Sequence, residues 1–118
     1  MCVQRRLLDD IPVLDVRGEF YGDTATEDLR KALASEVTRG TRRLLLNLSE
    51  CRMMNSLTLE VMVEAKLKVE AIGGEVRLCG VGRRLKSLLC VTRLMEWFNV
   101  HEGEVEAIEA FNRARASA

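Results

Sequence analysis

An α/β domain is the fold class this chain predicts, with a mixed, mostly parallel sheet of about four to five strands flanked by about four helices. Three observations carry that reading. Leu44-Leu45-Leu46-Asn47-Leu48 is an almost continuous apolar run, the pattern of a central strand covered on both faces. From Leu44 onward, strand-like and helix-like segments alternate, which calls for right-handed crossovers and parallel pairing. Ahead of them, two short strand-like segments flank Asp9-Asp10 and suit an antiparallel hairpin.

The hairpin strands are Val3 to Leu8 and Ile11 to Val16, the second carrying Val13, Leu14 and Val16 as apolar positions. Pro12, the only proline, belongs at a sheet edge or at a strand's start, because it has no N–H to give to a ladder. Arg17 to Asp23 reads as a loop. Thr24-Ala25-Thr26-Glu27 matches a capping box, in which Thr24 and Glu27 each satisfy an orphan N–H, so a helix is expected to begin near Ala25. Leu29, Ala32, Leu33 and Val37 recur at helical spacing as its buried stripe, and Gly40 suits a left-handed exit.

After the central strand, Ser49 to Met54 leads to Asn55-Ser56, two residue types favoured at helix N-caps. Leu57 to Ile72 then runs helically to Gly73-Gly74. Glu75 to Cys79 is a short strand, and Gly80-Val81-Gly82 opens a helix with Leu85, Leu88 and Leu89 on one face. Leu94, Trp97, Phe98 and Val100 suit a short edge strand. A last helix carries Val105, Ile108 and Phe111 inward, and residues 113–118 are expected to fray.

The 118 residues suit one domain, and 47% hydrophobic with 31% charged composition is that of a soluble globular chain. Lysine plus arginine (18) equals aspartate plus glutamate (18), so no net field favours nucleic acid or an anionic membrane; Arg42-Arg43 and Arg83-Arg84-Lys86 read first as solvated element ends, with contact to an anion or an acidic partner as the second reading. No stretch is long and apolar enough to span a bilayer, and no signal-peptide pattern is present, so a cytoplasmic setting with reduced thiols is expected. Cys2, Cys51, Cys79 and Cys90 lack C-x-x-C or metal-ligand spacing. Cys79 and Cys90 read as core fillers, and Cys51, near the central turn, as the one candidate reactive thiol.

Catalytic equipment is sparse. His101, the only histidine, has no Ser or Cys nucleophile beside it in sequence, and Glu102 with Glu104, or Glu106 with Glu109, are charges of a solvated helix face. Gly80-Val81-Gly82 lacks the third glycine of a dinucleotide fingerprint. No enzymatic activity, cofactor or metal is expected.

Ser56 stands apart, because its hydroxyl falls at a helix N-terminus beside Leu57, Leu59 and Met62, with Met53 and Met54 on the approach. Two readings of it stay open on these residues. In one it is a plain N-cap contributing about 1 kcal/mol. In the other it centres an apolar docking patch, where a phosphate of about −1.5 to −2 charges would be tolerated by the helix dipole and would repel an acidic or apolar partner.

Across nearly its full length the chain resembles the STAS family, the bacterial anti-sigma-factor antagonists. The resemblance rests on Arg17-Gly18-Glu19-Phe20 with Thr24-Ala25, on Leu44 to Ser49 leading to Asn55-Ser56, on Gly73-Gly74-Glu75-Val76, and on Leu88-Leu89 with Thr92, Leu94 and Phe98. It implies a binding protein without catalysis. A kinase-type anti-sigma factor would dock on the face around the serine, phosphorylate it with ATP and release it, and a phosphatase would restore binding. Ser56 matches the phosphorylated serine. Asn55 takes the place of the usual aspartate in the D-S-x-G-L pattern, Thr58 replaces its glycine, and Tyr21 stands where an aspartate is common. The docking set implied is Tyr21, Asp23, Met54, Asn55, Ser56, Leu57, Thr58 and Leu59. The alternative within the same fold is a constitutive structural subunit of a lipid-transport or signalling assembly, with Ser56 a cap only.

Overall fold

The computed structural model describes the backbone of residues 2–20 and 23–117; Tyr21, Gly22 and the side chains of Cys2, Phe20, Asp23 and residues 115–117 lie outside that description. Strands β1 (Cys2–Leu8) and β2 (Ile11–Phe20) form the antiparallel hairpin, with Leu8 opposite Ile11. Asp9 and Asp10 both take positive φ (51° and 64°), the requirement of a two-residue turn whose twist matches its strands. Pro12 is the second residue of β2, opposite Leu7 in the hairpin and one residue before the pairing of Val13 with Leu45 of β3 (Arg43–Asn47), in keeping with its place near a strand's start.

The remaining elements are α1 (Asp23–Thr38), β4 (Cys51–Met54), α2 (Ser56–Ala71), β5 (Glu75–Cys79), α3 (Arg83–Val91), α4 (Leu94–Trp97), β6 (Val100–His101) and α5 (Glu104–Ser117). The strands run in the order β1-β2-β3-β5-β6, with β4 paired to the upper half of β2, and every pairing except the hairpin is parallel. The expected mixed α/β sheet is thus present, with six strands and five helices among the described residues.

Alternate side chains of the sheet feed two cores. Leu14, Val16, Leu44, Leu46, Leu48, Val76 and Leu78 face α1, α2 and α3, whereas Ile11, Val13, Leu45 and Cys79 face Ala107, Ile108 and Phe111 of α5. β3 is buried on both faces, which is why its sequence is continuously apolar.

Four boundaries differ from the sequence expectation. The segment from Arg17, read as a loop, continues β2 as far as Phe20. Gly18 at φ 104° absorbs a register shift, and the strand leaves β3 to pair with β4, itself expected to be part of a connecting segment. Helix α1 begins at Asp23, so Thr24 lies inside the first turn and does not cap it. The edge strand expected over Leu94 to Val100 is instead the single turn α4 followed by β6. Arg93 (φ 62°) and Asn99 (φ 57°) are left-handed on either side of it, and Phe98 N–H bonds the Leu94 carbonyl at 2.9 Å. Cys90, expected in the core, is exposed on α3.

Candidate functional site

β4 delivers the chain to the start of α2, where Asn55 is the N-cap. Its backbone is extended (φ −89°, ψ 177°), and its side-chain Oδ1 accepts from the Thr58 N–H at 2.9 Å. The same oxygen accepts from the Thr58 hydroxyl at 2.9 Å. Thr58 Oγ1 in turn lies 2.9 Å from Thr26 Oγ1. The Thr26 and Thr58 hydroxyls share a hydrogen bond, and one chain of hydrogen bonds runs from α1 through α2 to the cap. Thr26 and Thr58 are both buried, so this chain fixes the start of α2 against the first turns of α1.

Ser56 is the first helical residue and is exposed. Its hydroxyl makes no hydrogen bond to a described residue, and the capping task that one reading gave it belongs to Asn55. Leu57 beside it is 44% exposed, and Met53 is half-buried. Met54, Thr58 and Leu59 of the expected docking set face the core instead, at 0%, 0% and 3% exposure. The Thr58 side chain therefore points inward. Tyr21 and the side chain of Asp23 lie outside the described residues.

The other candidates are placed away from this turn or held inert. Burial pushes the Cys51 thiol up to about 11, and Cys79 likewise up to about 11, so neither carries appreciable thiolate at neutral pH. His101 lies in β6 with Nε2 at 3.1 Å from Arg77 Nη1. Burial, then the charges of Arg77 and Arg113, hold its pKa below the usual histidine value, and the neutral ring accepts the Arg77 N–H. A polar cleft of about 380 Å³ is lined by Arg6, Asp15, Asn47 and Glu104, among others. Its polar groups satisfy one another: Arg6 Nε and Nη2 bind Asp15 at 2.6 and 3.0 Å, Arg6 also binds Glu104, and Asn47 Nδ2 donates to Glu104 at 2.8 Å. Among the described residues no group of three or more His, Cys, Asp or Glu side chains could hold a metal ion, and no helix is long and apolar enough to cross a membrane.

Sequence reasoning found Asn55 and Ser56 as cap types but gave the cap to Ser56 in one of its two readings, and it missed Thr26. The signal for Thr26 was available: with Leu29, Leu33 and Val37 it completes an i, i+3, i+7, i+11 stripe, which places its hydroxyl on the buried face of α1.

Comparison with known proteins bears on the whole fold. The model of the STAS domain family matches residues 3–107. Among solved structures, an anti-sigma factor antagonist from Mycobacterium paratuberculosis superposes with a TM-score of 0.80 at 21% identity, covering 92% of this chain and 91% of that one. An anti-sigma-factor antagonist (STAS) domain protein from Planctomyces limnophilus gives a TM-score of 0.80 at 17% identity, over 93% and 97% of the two chains. The Bacillus cell fate determinant SpoIIAA, in its phosphorylated form, gives 0.72 at 18% identity over 96% and 99%.

Proposed function

Since this chain belongs to the STAS domain family, we propose that it is a cytoplasmic anti-sigma-factor antagonist that docks a kinase-type anti-sigma factor through the start of α2 and is released when Ser56 is phosphorylated. A phosphatase would reset the switch. The module itself binds and catalyses nothing in this reading.

One observation carries the proposal: the Ser56 hydroxyl is exposed at the first position of α2 and is free of structural duty, because Asn55 caps the helix. A phosphate there adds about −1.5 to −2 charges at the positive end of the helix, so the domain tolerates it while any acidic or apolar surface seated on Leu57 is repelled. The phosphorylated form of the structural neighbour SpoIIAA is in keeping with this chemistry. The neutral Asn55 amide keeps the cap that an aspartate would provide but offers no charge to orient the hydroxyl or a metal-bound nucleotide.

The test incubates the chain with ATP and each purified kinase-type anti-sigma factor of the source organism, then reads intact mass and binding. The expected results are one phosphate, lost in Ser56→Ala, and binding at least tenfold weaker in Ser56→Asp than in Ser56→Ala. Equal binding of the two variants would remove the switch.

A further inference from the structure

Some cations on this surface are answered within the chain. Arg5, Arg6, Arg17 and Arg30 each lie within 3.3 Å of a carboxylate oxygen. Arg52, Arg83, Arg84 and Lys86, like Lys31, Arg42 and Arg93, are exposed and make no ion pair with a described residue. The first four are also gathered in one place. Arg52 lies on β4, two residues before Met54, and α3, whose first turns hold the other three, packs on β4. Helices α2 and α3 border one core, to which Leu59 and Met62 of α2 and Leu85 and Leu89 of α3 all contribute.

The position of these charges runs against helix stability. The first turn of α3 has no acidic residue, its N-cap Gly82 offers no side-chain hydrogen bond, and three cations stand at the positive end of the helix dipole. A local rule broken without compensation marks a place where something outside the chain supplies the missing partner.

We infer that the partner docked on the Ser56 turn meets this chain with an acidic surface, seated against Arg52, Arg83, Arg84 and Lys86 and continuing over exposed Leu57. The inference rests on the docking reading above and adds the chemistry of the other side. Two observations favour a protein over nucleic acid. The whole chain carries no net charge, so it offers no extended cationic field for a phosphate backbone. The Thr26–Thr58 hydrogen bond holds the first turns of α1 against the start of α2, and Asp28 on those turns of α1 and Glu60 on α2 are exposed. At physiological salt, charges interact over about 8 Å, so these carboxylates repel a uniform polyanion yet suit a protein surface of mixed sign.

The decisive measurement is the association rate of the purified kinase-type anti-sigma factor with wild type, Arg83→Glu/Arg84→Glu, Arg83→Lys/Arg84→Lys and Ser56→Asp, from 50 to 500 mM salt. Glutamate at a helix start favours the helix, so the reversal variant folds, and a thermal melt checks it. The expected result is an association rate about tenfold lower in the double glutamate variant at 50 mM salt, converging with wild type at 500 mM, and restored in the double lysine variant. An unchanged rate and salt slope in the glutamate variant, with Ser56→Asp still impaired, would overturn the acidic surface and leave the docking turn standing. Binding of a 20-base-pair DNA duplex at 150 mM salt that the glutamate variant abolishes would overturn it in favour of nucleic acid. If no kinase-type anti-sigma factor binds wild type, the docking reading fails and this inference falls with it.

Discussion

Asn55 Oδ1 accepts both the N–H and the hydroxyl of Thr58, and that double acceptance separates the roles of adjacent residues at the start of α2. Removing the cap in Asn55→Ala should cost about 1–2 kcal/mol. Thr58→Val should cost about 1–3 kcal/mol, because it strands the buried Thr26 hydroxyl. Ser56→Ala removes no contact to a described residue and should stay within about 0.5 kcal/mol of wild type. Urea denaturation of the three variants checks the order, and a loss in Ser56→Ala as large as in Asn55→Ala would return the cap to Ser56. The buried thiols set a second residue-scale expectation. Cys51 and Cys79 stay protonated in the fold up to about pH 11, whereas the unfolded chain releases those protons near 9. Between those values the native state holds more protons than the unfolded state, so stability falls as pH rises from about 9 to 11, with no contribution from these thiols below that window. Thermal melts at pH 8, 9.5 and 10.5 should show a falling midpoint that is shallower in Cys51→Ala/Cys79→Ala. Native alkylation at pH 8 should reach Cys90 and spare both buried thiols.

At the scale of elements, tight backbone approaches decide where the strands end. Gly80 follows β5 with φ +71°, and a Cβ there would sit 2.8 Å from Ser49 Cβ, so the turn after β5 closes on the turn after β3. Gly80→Ala should therefore destabilise by about 1–3 kcal/mol through backbone strain, and by more once the Ser49 contact is included. A crystal structure of the variant should show Ser49 displaced. If the variant melted as wild type, the two turns would not be coupled. The elements that sequence patterning located, β3, α2 and β5, are those whose burial repeats over a whole segment. Those it misplaced depend on single backbone conformations. Gly18 lets β2 shift register and continue where a glycine suggested a loop, and left-handed Arg93 and Asn99 fold Leu94 to Phe98 into a turn where apolar spacing suggested a strand. Hydrophobic periodicity carries no information about a positive φ at an arginine. At the site the same contrast holds: the polar pair Asn55-Ser56 was legible as a helix start, but which of the two caps was decided by contacts to Thr58 and Thr26.

Over the whole molecule the sheet separates the Ser56 turn from α5. The face that carries α2 holds the Ser56 turn, whereas among the described residues the opposite face is closed by α5, with Phe111 and Ala107 over Ile11, Val13 and Leu45. Helix α5 is fastened at its start by the polar bridge in which Arg6 joins Asp15 and Glu104 and Asn47 joins Glu104. Asp15 is 8% exposed, so removing Arg6 strands a carboxylate, but the Arg6 side chain is 40% exposed and solvent screens part of the loss. Arg6→Ala should therefore cost about 1–2 kcal/mol, less than a fully buried pair. Because the bridge and the Ser56 turn lie on opposite faces, that loss should lower the melting temperature and leave affinity for the proposed partner unchanged at temperatures well below it. Ending the chain after Gly103 is a harsher test of the same division: it bares Ile11, Val13 and Leu45, and the product should bind a hydrophobic dye and lose its cooperative melt. An Arg6→Ala protein that lost partner binding in proportion to its stability would show instead that the two faces act as one cooperative switch.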